Sequence, residues 1–133
     1  TEQAQDRILI VDDRPETVRM IGEWLRANSP YEIVTATSGE EGLAQIARRL
    51  PSLVLLDLYM PDMSGLEMLA RLRSDPVTRS LPVILITAED DLIPIARGQY
   101  GDVSILSKNA LDEAQLLTGV AAVLGHNAGD NRN

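Results

Sequence analysis

Three stretches of the chain are apolar at almost every position: Arg7-Ile8-Leu9-Ile10-Val11, Leu53-Val54-Leu55-Leu56 and Pro82-Val83-Ile84-Leu85-Ile86. Short apolar runs without alternation predict strands buried on both faces, as in the middle of a parallel sheet. Two weaker runs, residues 31–36 and Ile105-Leu106, predict a short strand and an edge strand. Between the runs the period becomes helical. Val18, Ile21 and Leu25 make one apolar stripe, with Trp24 beside it, and Pro15 and Glu16 suit the start of that helix. Asn28-Ser29-Pro30 breaks it. Ser38 and Glu41 form a capping box ahead of Leu43, Ile46, Ala47 and Leu50, and Pro51 ends that helix. Ser64 and Glu67 repeat the pattern and open a helix to about Arg73. A polar loop at 75–80 precedes the run that begins with Pro82. A weaker helix is expected over about 90–99, interrupted by Pro94. Asn109 is placed to cap a last helix from 110 to about 124.

Strands and helices therefore alternate, five of each. Alternation gives a parallel sheet covered on both sides, and right-handed crossovers favour the strand order 2-1-3-4-5. The expected fold is α/β, a doubly wound, flavodoxin-like five-stranded parallel sheet with five flanking helices. One domain is expected over residues 7–124, with 1–6 and 125–133 as flexible termini.

Composition narrows the function. The chain has 133 residues, enough for one core, and 44% of them are hydrophobic. Aromatics are only 3% and Phe is absent, so Leu, Ile, Val, Ala and Met must fill the core. A formal charge of −8 argues against nucleic-acid or anionic-membrane partners and suits divalent cations or basic surfaces. No cysteine is present, which excludes disulfides, thiolate metal sites and cysteine nucleophiles. No apolar run approaches a membrane span, and no signal-peptide core follows the start, so a cytoplasmic location is expected.

The strand ends carry the chemistry. Strand one ends in Asp12-Asp13, strand three in Asp57, strand four in Thr87 and strand five in Lys108. In the order 2-1-3-4-5 these strands are neighbours, and their carboxyl ends share one rim, where open α/β sheets bind ligands. Three acids in one cleft repel each other and suit a hard dication such as Mg2+. A carboxylate beside that ion can act as a nucleophile and form an acyl phosphate. Lys108 can hold one phosphoryl oxygen as a point charge, and the Thr87 hydroxyl and Ala88 N–H are placed for another. Taken singly these residues are ordinary: Asp12-Asp13 could cap the helix at Pro15, and Thr87 and Lys108 are common at strand ends. Their agreement on one edge carries the argument. Glu40-Glu41, Arg48-Arg49 and Glu89-Asp90-Asp91 fit solvated faces or caps, and Met60, Met63 and Met68 fit packing. His126 lies in a polar tail with no catalytic company.

Leu9-Ile10-Val11-Asp12-Asp13, Leu55 to Gly65, Ile84-Leu85-Ile86-Thr87-Ala88 and Ser107-Lys108 together resemble the receiver domain of two-component response regulators, from about Arg7 to Leu124. The resemblance implies that Asp57 accepts a phosphoryl group from a phosphohistidine on a histidine kinase or histidine phosphotransfer protein. It implies Mg2+ held by Asp13 and Asp57, by Asp12 directly or through water, and by the Tyr59 carbonyl. Thr87, Ala88 and Lys108 would meet the phosphoryl group. No catalysis is implied beyond self-phosphorylation and self-dephosphorylation. Two positions depart from the family pattern. Asn109 stands where a proline usually follows the lysine, and Ile105 stands where an aromatic ring usually reports phosphorylation by turning inward. Both departures fit an alternative, a receiver-fold docking module that signals without phosphorylation. A metal-dependent phosphatase is disfavoured, because Tyr59 stands where a second acid would be needed. The last helix carries Leu111, Leu116, Leu117, Val120, Val123 and Leu124, a stripe explained equally by packing or by a dimer or partner face.

Overall fold

The computed structural model describes residues 6–88, 94, 98 and 103–124. The elements run β1 (Arg7–Val11), α1 (Pro15–Asn28), β2 (Glu32–Ala36), α2 (Gly39–Arg48), β3 (Leu53–Asp57), α3 (Gly65–Ser74), β4 (Val83–Thr87), β5 (Ser104–Ser107), a 3-10 turn (Lys108–Ala110) and α4 (Glu113–Leu124). All strand pairs are parallel, in the order β2-β1-β3-β4-β5. This is the expected doubly wound sheet. Four α-helices lie among the described residues; of the helix expected over 90–99 only Pro94 and Gly98 are described, both helical, and 1–5 and 125–133 fall outside. Among the described residues no helix is long and apolar enough to cross a membrane.

Alternate side chains of each strand point to opposite faces, so the uniformly apolar runs build two cores. Leu9, Val11, Val54, Leu56, Val83 and Leu85 pack with Ile46 of α2 and Met68, Leu69 and Leu72 of α3. Ile8, Ile10, Leu53, Leu55, Ile84 and Ile86 pack with Val18, Ile21 and Leu25 of α1 and Leu116 and Val120 of α4. Leu111, Leu117, Val123 and Leu124 lie partly buried against this second core. A side-chain amide from Asn28 on α1 to Glu113 further ties α1 to α4.

Several expectations shift. The last helix begins at Glu113, and Asp112 caps it by accepting the Gln115 N–H at 2.8 Å. Asn109 instead sits in the 3-10 turn, where its N–H donates to the Ser107 hydroxyl at 3.2 Å. The chain leaves the strand through this tighter turn and only then enters the helix. Helix α2 stops at Arg48, so Leu50 leaves the helical stripe and is 50% exposed. Ser38 caps α2 as expected, but Glu41 reaches back to the Thr37 N–H at 2.9 Å. At Ser64 only half of the box forms, because Glu67 pairs with Arg71. Asp6, expected in the loose lead-in, accepts the Glu32 N–H at 2.8 Å through its carbonyl and the Ser52 hydroxyl at 3.3 Å through its carboxylate.

Candidate functional site

The register of the sheet sets the site. β1 lies against β3 and β3 against β4, with Asp57 level with Ile86; β5 then places Ser107 beside Thr87. The residues that end these strands therefore emerge on one rim. Oxygens of Asp12, Asp13 and Asp57 lie within 4.8 Å of one another. The Lys108 ammonium is 2.7 Å from Asp12 and 3.5 Å from Asp57. Beside them opens a cleft of about 500 Å³, lined by Asp13, Arg14, Asp57, Tyr59, Met60, Pro61, Ala88 and Lys108. Asp12 and Thr87 are buried at their strand ends and do not line it.

Each acid is placed by its backbone. Asp12 accepts the Arg14 N–H at 2.9 Å, which turns the chain into α1, and its N–H donates to Ala36 on β2 at 3.1 Å. The capping role considered for this pair does not form, since α1 has Arg14 at its N-cap and no side-chain cap; Asp12 is held instead by the Arg14 N–H and the ion pair to Lys108. Asp57 is only 4% exposed and accepts the Tyr59 N–H at 3.3 Å. Burial, and then the neighbouring Asp12 charge, pushes its carboxyl up to about 6; Lys108 opposes both.

The loop after Asp57 is pinned at three points. Gly65 donates to the Leu58 carbonyl at 2.9 Å. A side chain at Gly65 would run into the Asp57 carbonyl oxygen, so the close approach requires glycine. Asp62 reaches across to the start of α2 and accepts the N–H groups of Gly39 and Glu40, each at 3.1 Å. Those two bonds, that of Glu40 first, hold its carboxyl below the usual range. Met63 packs on Gly39 beside them. Asp62 and Arg14 are contributors the sequence reading passed over. Arg14 was legible as the neighbour of Asp12-Asp13, whereas Asp62 meets its partners 22 and 23 residues away and has no local signal.

Three carboxylates converging beside the cleft, two of them lining it, match the donor chemistry of a hard, oxygen-preferring dication, with room for water or an anion to complete its shell. The acidic pocket could therefore hold such a metal ion. Thr87, Ala88 and Lys108 frame the opposite side of the rim, on β4 and the turn after β5.

Comparison with known proteins agrees with this geometry. The sequence matches the response regulator receiver domain over residues 8–121. The response regulator PleD of Caulobacter vibrioides is 38% identical over 117 residues, covering 88% of this chain and 26% of PleD. The chain thus spans about a quarter of that relative's length. The protein PilH of Pseudomonas aeruginosa is 30% identical over 118 residues, covering 89% of this chain and 97% of PilH. Among solved structures, the signal receiver domain of an HD domain-containing protein from Pseudomonas fluorescens Pf-5 superposes with a TM-score of 0.82 at 27% identity, covering 92% of this chain and 97% of that one. The chain belongs to the response regulator receiver domain family of two-component signalling. Domains of this family take part in phosphoacceptor signalling with histidine kinases or phosphotransfer proteins.

Proposed function

We propose that Asp57 is the phosphoacceptor of a receiver unit spanning residues 7–124, and that its donor is a phosphohistidine on a histidine kinase or histidine phosphotransfer protein. An ionised Asp57 oxygen forms the new O–P bond as the P–N bond breaks, and the imidazole leaves with that electron pair. A carboxyl pushed up to about 6 is mostly ionised at neutral pH and is more basic than an ordinary Asp. Lys108 takes charge on one phosphoryl oxygen and the Ala88 N–H donates to another, while the Thr87 hydroxyl, buried at the end of β4, joins it by turning into the cleft. Asp13 and Asp57, Asp12 directly or through water, and the Tyr59 carbonyl would hold Mg2+. When bound, Mg2+ supplies the positive charge that offsets the acids and the incoming phosphoryl oxygens. The unit acts in the cytoplasm through its own phosphorylation and dephosphorylation, and the phosphorylated state alters partner binding. The partly buried residues of the α4 stripe leave an apolar flank on which a second copy of the chain would dock.

The observation that supports this reading most is the meeting of three carboxylates within 4.8 Å with an ammonium 3.5 Å from Asp57. Intact mass after incubation with a small acyl phosphate tests it. Wild type with Mg2+ should gain one phosphoryl group, and Asp57→Asn or wild type in chelator should gain none. A wild type left unlabelled where a control receiver is labelled would overturn it.

A further inference from the structure

The turn after β5 grips the rim twice. Lys108 reaches the acids of β1 and β3. The next residue, Asn109, donates its side-chain amide to the Ala88 carbonyl at 3.0 Å. Ala88 follows Thr87 directly and lines the cleft. The turn itself is held by the Ser107 hydroxyl, which accepts the Asn109 N–H at 3.2 Å, and by the Leu111 N–H, which donates to the Lys108 carbonyl at 3.4 Å.

We propose that Asn109 is a positioning residue for phosphoryl binding: its amide ties Ala88 to the Lys108 turn, so that the two arms meeting the phosphoryl group keep a fixed spacing. The inference rests on Asp57 being the phosphoacceptor. Chemistry restricts the side chain. The partner is a carbonyl, so position 109 must donate, and an aspartate would set acceptor against acceptor. β5 is the edge strand with only four residues, so the sheet alone secures this arm weakly. The bond crosses directly from the edge to the end of β4, where Thr87 stands. The contact touches none of the three carboxylates that would hold a metal, which follow β1 and end β3. Phosphoryl binding and metal binding should therefore separate on substitution.

Asn109→Ala provides the test, read at Lys108, which is the only lysine in the sequence. Protein labelled at the lysine side chain gives one ammonium signal. That signal is titrated first with Mg2+ alone and then with beryllofluoride, a phosphoryl mimic, at saturating Mg2+. The expected result is Mg2+ affinity within about twofold of wild type and beryllofluoride affinity weaker by about fivefold, the worth of one lost hydrogen bond. Asn109→Asp, which keeps the turn's N–H bond but loses the amide donor, should also weaken beryllofluoride binding. Equal beryllofluoride affinity in Asn109→Ala and wild type would overturn the inference, as would parallel loss of both affinities. If wild type binds Mg2+ but never beryllofluoride, the phosphoacceptor reading itself fails, and the inference fails with it.

Discussion

Replacing Asp57 with asparagine should stabilise the metal-free protein at neutral pH, although it removes the proposed acceptor. The carboxyl is buried beside Asp12, and burial first and that charge second raise it from 3.8 to about 6 against the pull of Lys108. Below about pH 4 the group is protonated both folded and unfolded. As pH rises, the unfolded chain releases its proton first. Between about 4 and 6 the folded state binds more protons, so its stability falls with pH through that window. The full linkage is about 3 kcal/mol. Water in the adjoining cleft screens part of it, leaving on the order of 1–2 kcal/mol. Asparagine keeps the shape and an acceptor for the Tyr59 N–H but does not ionise. Urea unfolding in chelator from pH 4 to 7.5 measures the difference between variant and wild type. The advantage of Asp57→Asn should grow through pH 4–6 and then level off, equivalent to roughly 3–8 °C in thermal midpoint. Added Mg2+ should reverse the order by stabilising wild type. A difference that stays flat or shrinks as pH rises would refute the reasoning.

Lys108→Ala should tighten Mg2+ binding several-fold, because the ammonium competes for the carboxylates of Asp12 and Asp57. Calorimetric titration measures this, and weaker binding would count against the competition. Gly65→Ala should cost about 1–3 kcal/mol by urea unfolding, since its Cβ would meet the Asp57 carbonyl and the backbone must move; a cost near zero would mean the approach is not tight. Asp62→Ala should cost about 1 kcal/mol by the same measurement and speed amide exchange at Gly39 and Glu40, whose N–H groups lose their acceptor. The Asp62 carboxyl is held low when folded, so its contribution is present above about pH 4 and fades as pH falls through the depressed value.

The sheet was legible because its strands are buried on both faces and so carry no polar residues until they end. The run from Arg7 to Val11 matches β1, and that from Leu53 to Leu56 matches β3 except for Asp57, which the strand takes in at its end. Strand order followed from crossover geometry, and with it the meeting of Asp12, Asp13, Asp57 and Lys108. Contacts made by side chains onto distant backbone were not legible. Asp62 looks like any loop acid until α2 is placed next to it. Asn109 reads as a helix cap, because Asn commonly caps and the competing acceptor at Ala88 lies 21 residues back. Leu50 fits the helical period, but Arg49 already closes α2, so the chain has turned before reaching it. Periodicity reports which face a residue would take if the helix continued, not where the helix stops.

The most direct measurement is to find where the phosphoryl group attaches. Borohydride reduces an acyl phosphate to the alcohol, so an aspartyl phosphate becomes homoserine and the peptide mass identifies the position. After phosphotransfer from a phosphohistidine protein with Mg2+, homoserine should appear at position 57 and nowhere else, and chelator should abolish it. Reduction at Asp12 or Asp13, or at no acid while the donor loses its phosphate, would contradict the account.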